Sequence, residues 1–209
     1  MYVRSHFEEA RTDVMHQLMR AHPLGAMVTL SGGGLDANHV PFEMSADGAP
    51  YGTLRAHLPR NNPAWREHAK GMETLVIFQG PQSYISPSLY ATKEEDARVA
   101  PTYNFMVVHA YGPLRVIDDA KWVRAHLERL TDALEAGRAQ PWKVTDAPDD
   151  YIEKMLTALV GIEIPITKLS GKWKVSQNQP EVNRVSVERG LRVAGDINSV
   201  AMADAVAHR

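Results

Sequence analysis

Cysteine is missing from all 209 residues. Its absence excludes disulfides, thiolate metal sites, iron–sulfur clusters, a cysteine nucleophile and thioether-linked cofactors together. No apolar run is long enough to span a bilayer. The N-terminal stretch MYVRSHFEEA is charged by its fourth residue and holds no apolar segment of the secretory kind. These features predict a cytoplasmic protein without membrane association. Neither sign of charge dominates, since 23 Lys plus Arg stand against 25 Asp plus Glu for a formal net charge of -2. A sequence-wide affinity for nucleic acid is therefore not indicated. With 44% hydrophobic and 23% charged residues, the composition is that of a folded globular chain, neither disordered nor fibrous. Its length fits one large domain or a domain with an appended helical piece.

Ser5 followed by Glu8 has the form of a capping box, and Phe7, Ala10, Val14, Leu18 and Ala21 recur at helical spacing until His22-Pro23. The pattern predicts a first amphipathic helix. Leu24 to Leu30 reads as a strand, Ser31 to Gly34 as a turn and Leu35 to Met44 as a second strand, together a hairpin. After a turn at Asp47-Gly48, Tyr51, Thr53, Arg55 and His57 share one strand face, and Gly52, Leu54, Ala56 and Leu58 the other. Asn62-Pro63 starts a short helix through about His68. Thr74 to Gln79 reads as a buried strand and Gly80 to Tyr90 as a long aromatic loop. A strand signal from Tyr103 to Ile117 is interrupted at Gly112-Pro113, and Ile162 to Val175 reads as a strand pair turning at Ser170-Gly171. Helices are predicted near Lys121 to Glu135 and near Asp149 to Leu159. Strands joined by short turns predict a β-rich α+β fold built on an antiparallel sheet or barrel, not a doubly wound parallel sheet. The Ala-rich stretch after Leu191 reads as a terminal helix or a frayed tail.

Most local motifs reduce to structure. Gly32-x-Gly34-x-x-Ala37 follows a strand, as a dinucleotide fingerprint does, but Val40-Pro41-Phe42 prevents the helix that must receive the pyrophosphate, so the glycines belong to a hairpin turn. None of the nine histidines stands in a helical two-His arrangement with a Glu, and His39 with Glu43 is a poor pair, so no metal site is predicted. No nucleophile elbow is present, and nothing around Ser83 or Ser86 suggests a triad. Three segments differ: Phe78 to Ser88, Pro101 to Phe105 and Lys172 to Asn178. Each packs hydroxyls, amides and an aromatic into one loop or strand end, the mixture that a planar ligand with a polar rim requires.

FQGPQSYISPS (78–88), PTYNFMVVHAYG (101–112), LRAHLPRNNPAWR (54–66) and GKWKVSQN (171–178) resemble the FMN-binding negative transcriptional regulator family typified by PaiB. The resemblance runs from Met1 to about Leu191. It implies an antiparallel split β-barrel with peripheral helices, of the pyridoxamine-phosphate-oxidase type, and a homodimer with FMN at the subunit interface. The matching domain would be residues 1–191 with inserted helices at about 119–159, leaving 192–209 as the tail or terminal helix.

Carried over residue by residue, the family segment G-x-L-x-x-H-L-x-x-x-N-P is matched from Gly52 to Pro63, which brings in His57, Asn61 and Asn62. Gln79, Ser83, Tyr84 and Ser86 match the next motif. Tyr103-Asn104 stands where an aromatic-Asn pair, often Trp-Asn, is expected, so stacking is retained on a smaller ring. Lys172, Trp173, Lys174, Ser176, Gln177 and Asn178 match the last motif. Strand alternation points Lys172, Lys174 and Ser176 the same way, which makes the two lysines, with Arg55 and His57, candidates for the FMN phosphate or flavin rim. The competing reading of the lysines is a solvated strand face, and that of His57 a core histidine. Two other activities fit the same resemblance: a flavin-dependent oxidoreductase acting on a small molecule, and a haem-binding or haem-degrading relative with His39, His57 or His109 as axial ligand. Direct DNA reading is doubtful, because Gly137 to Pro148 is too long for a helix-turn-helix turn and no basic recognition helix is evident.

Overall fold

The computed structural model describes residues 1–68 and 71–208. Ten strands form: β1 (Glu8–Glu9), β2 (Leu24–Ser31), β3 (Gly34–Pro41), β4 (Glu43–Ser45), β5 (Thr53–Pro59), β6 (Glu73–Ile85), β7 (Thr102–Pro113), β8 (Arg115–Ile117), β9 (Leu159–Pro165) and β10 (Lys168–Lys174). The helices are α1 (Thr12–Ala21), α2 (Ala64–Glu67), α3 (Ala120–Glu135), α4 (Asp149–Thr157), α5 (Glu181–Ala194) and α6 (Ile197–Ala207). They divide between two compact units, the first made of residues 1–18, 79–108 and 170–209 and the second of residues 19–78 and 109–169. No helix among the described residues is long and apolar enough to cross a membrane.

The second unit holds the β2–β3 hairpin, paired from Leu24 with Pro41 to Ser31 with Gly34, and an antiparallel four-stranded sheet in the order β4-β5-β9-β8. Period-two alternation gives that sheet two unlike faces. Leu54, Ala56 and Leu58 lie opposite Ile164, Ile162 and Val160, and all six are buried. Arg55 and His57 alternate with them, opposite Glu163 and Gly161. Gly161 gives α3 its seat, since a Cβ there would lie 2.4 Å from the Trp122 ring. Val123, Val144, Ile152 and Leu156 form a separate cluster between α3, α4 and the turn that precedes α4. Asp119 caps α3 by accepting from the Lys121 amide at 2.8 Å.

In the first unit α5 and α6 pack on a core of Ile85, Tyr90, Val175, Val187, Leu191, Met202, Ala203 and Val206. The segment after Leu191 therefore ends in a helix with one buried face, Ser199, Met202, Ala203 and Val206, entered by Gly195 at φ 72° and capped by Asp196, which accepts from the Ser199 amide at 3.0 Å. Arg209, the last residue of that segment, lies outside the described residues.

Three sequence expectations are corrected. The first helix starts at Thr12 rather than at Ser5, because Ser5–Phe7 makes one 3-10 turn and Glu8–Glu9 pairs with Lys172 and Gly171 of β10. Strand pairing and the bonds from Arg11 to the buried Glu9 carboxylate, at 2.7–3.0 Å, outweigh the local cap. Residues 80–85, expected in a loop, extend β6, with Gly80 and Ile85 buried and Tyr84 exposed. The β9–β10 turn falls at Ile166-Thr167, where the two amides donate to the Gly52 and Tyr111 carbonyls at 2.9 Å. Gly171 instead admits β1, since a Cβ there would stand 2.8 Å from the Glu9 carbonyl oxygen.

Candidate functional site

Within the first unit the last and middle motifs converge. β10 turns Trp173 inward, where it is 4% exposed, and leaves Lys172 and Lys174 half-buried on the opposite face. Lys174 Nζ donates to the Thr102 hydroxyl at 2.5 Å and to the Tyr103 carbonyl at 2.7 Å. Lys172 Nζ donates to the Tyr2 carbonyl at 3.3 Å. All three acceptors are neutral. Burial, and then the neighbouring Lys172 charge, hold Lys174 below the ordinary lysine pKa. Beyond β10 the chain turns at Ser176, a buried residue at φ 64°. The Gln177 side chain closes this turn, donating to the Trp173 carbonyl at 2.5 Å and accepting from the Val175 amide at 2.8 Å. The buried Asn104 amide donates to Ser176 Oγ at 2.8 Å, which fixes the strand end that carries the lysines.

These residues border a cavity of about 460 Å³ in the same unit. Its cations are Arg4, Arg98, Lys172 and Lys174, and its neutral polar groups include Thr102, Asn104, Ser176 and Asn178. No carboxylate lines it among the described residues, although Arg98 also pairs with Asp96 at 2.9 Å. Lys172 and Lys174, like charges on one half-buried face with only neutral acceptors, make a field that favours an anion. Tyr84 and Tyr103, 51% and 57% exposed, meet edge to face at 5.7 Å and present ring surface in this unit. The other candidates here have local roles: Ser83 bonds Ser199 at 3.3 Å, Ser86 accepts from the Ser88 amide at 3.2 Å, and Gln79 is exposed on β6. Arg4 and Arg98 were not singled out by sequence reading, and no local pattern marks them, whereas Thr102 belongs to the segment 101–105 that was.

Arg55, His57, Asn61 and Asn62 belong to the second unit. Arg55 already meets two carboxylates, Glu163 at 3.0 Å and Glu43 at 3.5 Å. Asn62 spends its amide on structure, accepting from the Ala64 amide at 2.9 Å and donating to Asn38 at 2.8 Å, while Asn61 is exposed. His57 faces His126 of α3, with ring centroids 5.4 Å apart. His126 is fully buried, stacks on Trp122 and places Nδ1 3.0 Å from Glu43 Oε2. A carboxylate only accepts, so His126 Nδ1 carries the proton. Burial acts to raise the Glu43 pKa, but the hydrogen bonds from His126 and Arg129 outweigh it and hold the carboxyl at about 2. His57 Nδ1 and His126 Nε2 are buried without a hydrogen-bond partner. Burial and then His126 push His57 down to about 4.

Antiparallel sheets with peripheral helices make this a β-rich α+β split barrel. Residues 1–168 match the family described as "Putative FMN-binding domain", and the chain belongs to it. It is 31% identical over 244 residues to an uncharacterized protein of Emericella nidulans, covering 100% of this chain and 97% of that one. It is 26% identical over 204 residues to the protease synthase and sporulation protein PAI 2 of Bacillus subtilis, covering 98% and 95%. Among solved structures it shares its fold with the FAD and heme binding protein of Mycobacterium smegmatis, at a TM-score of 0.59 and 18% identity over 80% of this chain and 73% of that one.

Proposed function

We propose that this protein is a cytoplasmic homodimer of the PaiB type that holds FMN without a covalent link and serves as a negative transcriptional regulator. The observation that carries the flavin reading is the basic cavity. An FMN phosphate needs cations with hydroxyl or amide donors, and Arg4, Arg98, Lys172 and Lys174 with Thr102, Ser176 and Asn178 supply both kinds. Tyr84 and Tyr103 suit the apolar faces of the isoalloxazine ring. Arg55 and Asn62 are engaged by partners of their own, so the proposed phosphate set is drawn from the first unit. FMN supplies hydride chemistry when bound, and these residues bind and orient it. Titrating apo-protein with FMN is expected to change flavin fluorescence with saturation at micromolar protein, and denaturation is expected to release all the flavin. No change on titration would overturn the reading.

The regulatory role rests on the family resemblance, and among the described residues neither later helix pair has the form of a helix-turn-helix with a basic second helix. α3 and α4 are separated by residues 136–148, against a turn of about 3–4 residues in a helix-turn-helix. α5 and α6 are close in sequence, but α6 contains neither Lys nor Arg to meet phosphates. DNA binding by the purified protein is therefore expected to be weak and to fall steeply with salt. Fluorescence anisotropy with promoter-length duplexes at two salt concentrations checks this, and nanomolar sequence-specific binding at physiological salt would contradict it. A haem reading draws on the fold shared with the Mycobacterium smegmatis protein, but His39, His57 and His109 do not line the basic cavity. The absorption spectrum of the purified protein separates the two cofactors.

A further inference from the structure

We propose that the second unit carries a separate site for a small carboxylic acid with an apolar body, in the groove where β4 meets α3. The groove has a volume of about 430 Å³, within the range of roughly 300–1,000 Å³ that small-molecule pockets occupy. It shares no residue with the basic cavity, so the inference is independent of the flavin reading.

Two local patterns build the groove. β4 is the outermost strand of its sheet, so residues from both sides of the chain border it, Phe42 and Met44 from one and Glu43 from the other. On α3, Arg129 with Ala133 and Leu130 with Leu134 stand four residues apart and share one side of the helix. Phe42, Met44 and Leu130 are buried and make its deep wall, while Leu134 is 53% exposed at the rim.

The polar lining has an excess of cations. Glu43 is the groove's one carboxylate among the described residues, and it is already shared by Arg129 at 2.8 Å, the buried His126 ring at 3.0 Å and Arg55 at 3.5 Å. Arg129 reaches it through Nε, and the two terminal nitrogens of its guanidinium form no hydrogen bond among the described residues. The ion pair thus holds the arginine in place and leaves free the donors whose fork geometry suits a carboxylate. Arg20 lines the groove as well, with neither hydrogen bond nor ion pair among the described residues. Two guanidinium groups against one carboxylate that a third arginine also meets leave the lining net positive. A single anionic group on an apolar body matches both parts of it: the carboxylate meets the arginines and the body covers Phe42, Met44 and Leu130. An amine of the same shape would face two like charges, and an alcohol would give the arginines no charged acceptor.

Isothermal titration calorimetry of the full chain with decanoate, 1-decanol and decylamine, all at submicellar concentration, tests the site. Decanoate is expected to bind at least about tenfold more tightly than decanol, since it alone accepts charge-assisted hydrogen bonds from both arginines, and decylamine is expected not to bind. Arg20→Gln, at an exposed position, is expected to weaken decanoate about threefold to tenfold and to leave decanol unchanged. Ala133→Trp, at an exposed position of α3, fills the groove and is expected to abolish binding of both with the melting temperature unchanged. No binding of decanoate, or equal affinity for decanoate and decanol, would overturn the proposal. So would decanoate binding that survives Ala133→Trp, or that Lys172→Ala weakens, because it would then lie outside the groove. If Ala133→Trp does not fold, Arg20→Gln decides, and an unchanged decanoate affinity there would overturn the site.

Discussion

Alanine at both Lys172 and Lys174 is expected to weaken FMN binding by roughly a hundredfold to ten-thousandfold while leaving riboflavin almost unaffected. Riboflavin carries the same ring without the phosphate, so the pair of ligands isolates the charged end. A charge-assisted hydrogen bond contributes about 1.5–3 kcal/mol, and two such bonds lost at about 1.4 kcal/mol per factor of ten give the stated range. The lysines suit this role because they share one strand face and lack a carboxylate partner, and because Lys174 is already held below its ordinary pKa by burial and by Lys172. A bound phosphate would relieve that repulsion. Equal weakening of both ligands would assign the lysines to the ring or the fold. No weakening of either, with an intact melting temperature, would make them a solvated face and leave Arg4 and Arg98 as the cations to test.

The second large effect expected is a loss of stability in acid that traces to His57. Its pKa falls from an ordinary 6.5 to about 4 in the fold, through burial first and then through His126. Above pH 6.5 the ring is neutral in both folded and unfolded chains. As the pH drops, the unfolded chain takes up its proton near 6.5 and the folded protein only near 4. Stability is therefore present above pH 6.5 and lost as the pH falls through 4, by at most about 3 kcal/mol at 1.36 kcal/mol per pKa unit. Glu43, held at about 2 against an ordinary 4.5, contributes in the same direction but lower, from pH 4.5 down to 2. The other charged groups on these elements are already paired: Arg55 on β5 with Glu163 on β9 and with Glu43, and Arg129 on α3 with Glu43. His57→Phe keeps a ring of similar shape without the titrating group. Its melting temperature is expected to vary less than that of the wild type between pH 7 and pH 4, and to converge in behaviour below pH 4. Parallel melting profiles over the upper window would refute the assignment to His57.

Local chemistry was enough for several elements. The β2–β3 hairpin was legible because Ser31-Gly32-Gly33-Gly34 can turn the chain where few other residues can, and Gly34 does take φ 109°. α3 was legible from its apolar spacing, and the two-faced β5 from strict alternation between Arg55 or His57 and Leu54, Ala56 or Leu58. α5 went unread although its pattern is present, with Asn183, Val187 and Leu191 buried four residues apart between Pro180 and Gly195. The competing polar surface residues Glu181, Arg184, Glu188 and Arg192 masked that stripe. The first helix was placed too early because Ser5 and Glu8 satisfy a local rule, whereas Glu8 and Glu9 are claimed by a strand more than 160 residues away.

By itself the sequence determined the class of fold, the family and the side of β10 on which Lys172 and Lys174 stand, since alternation, turn chemistry and motif order are properties of neighbouring residues. Only the tertiary structure decided which of the predicted polar groups were already engaged. Arg55 meets Glu163 across 108 positions, His126 meets Glu43 across 83, and Lys174 meets Thr102 across 72. The physical reason is that a charge is neutralised by whatever lies within a few ångströms of it, and distance in space between residues so far apart in the chain is set by strand pairing and helix packing, which no local pattern encodes.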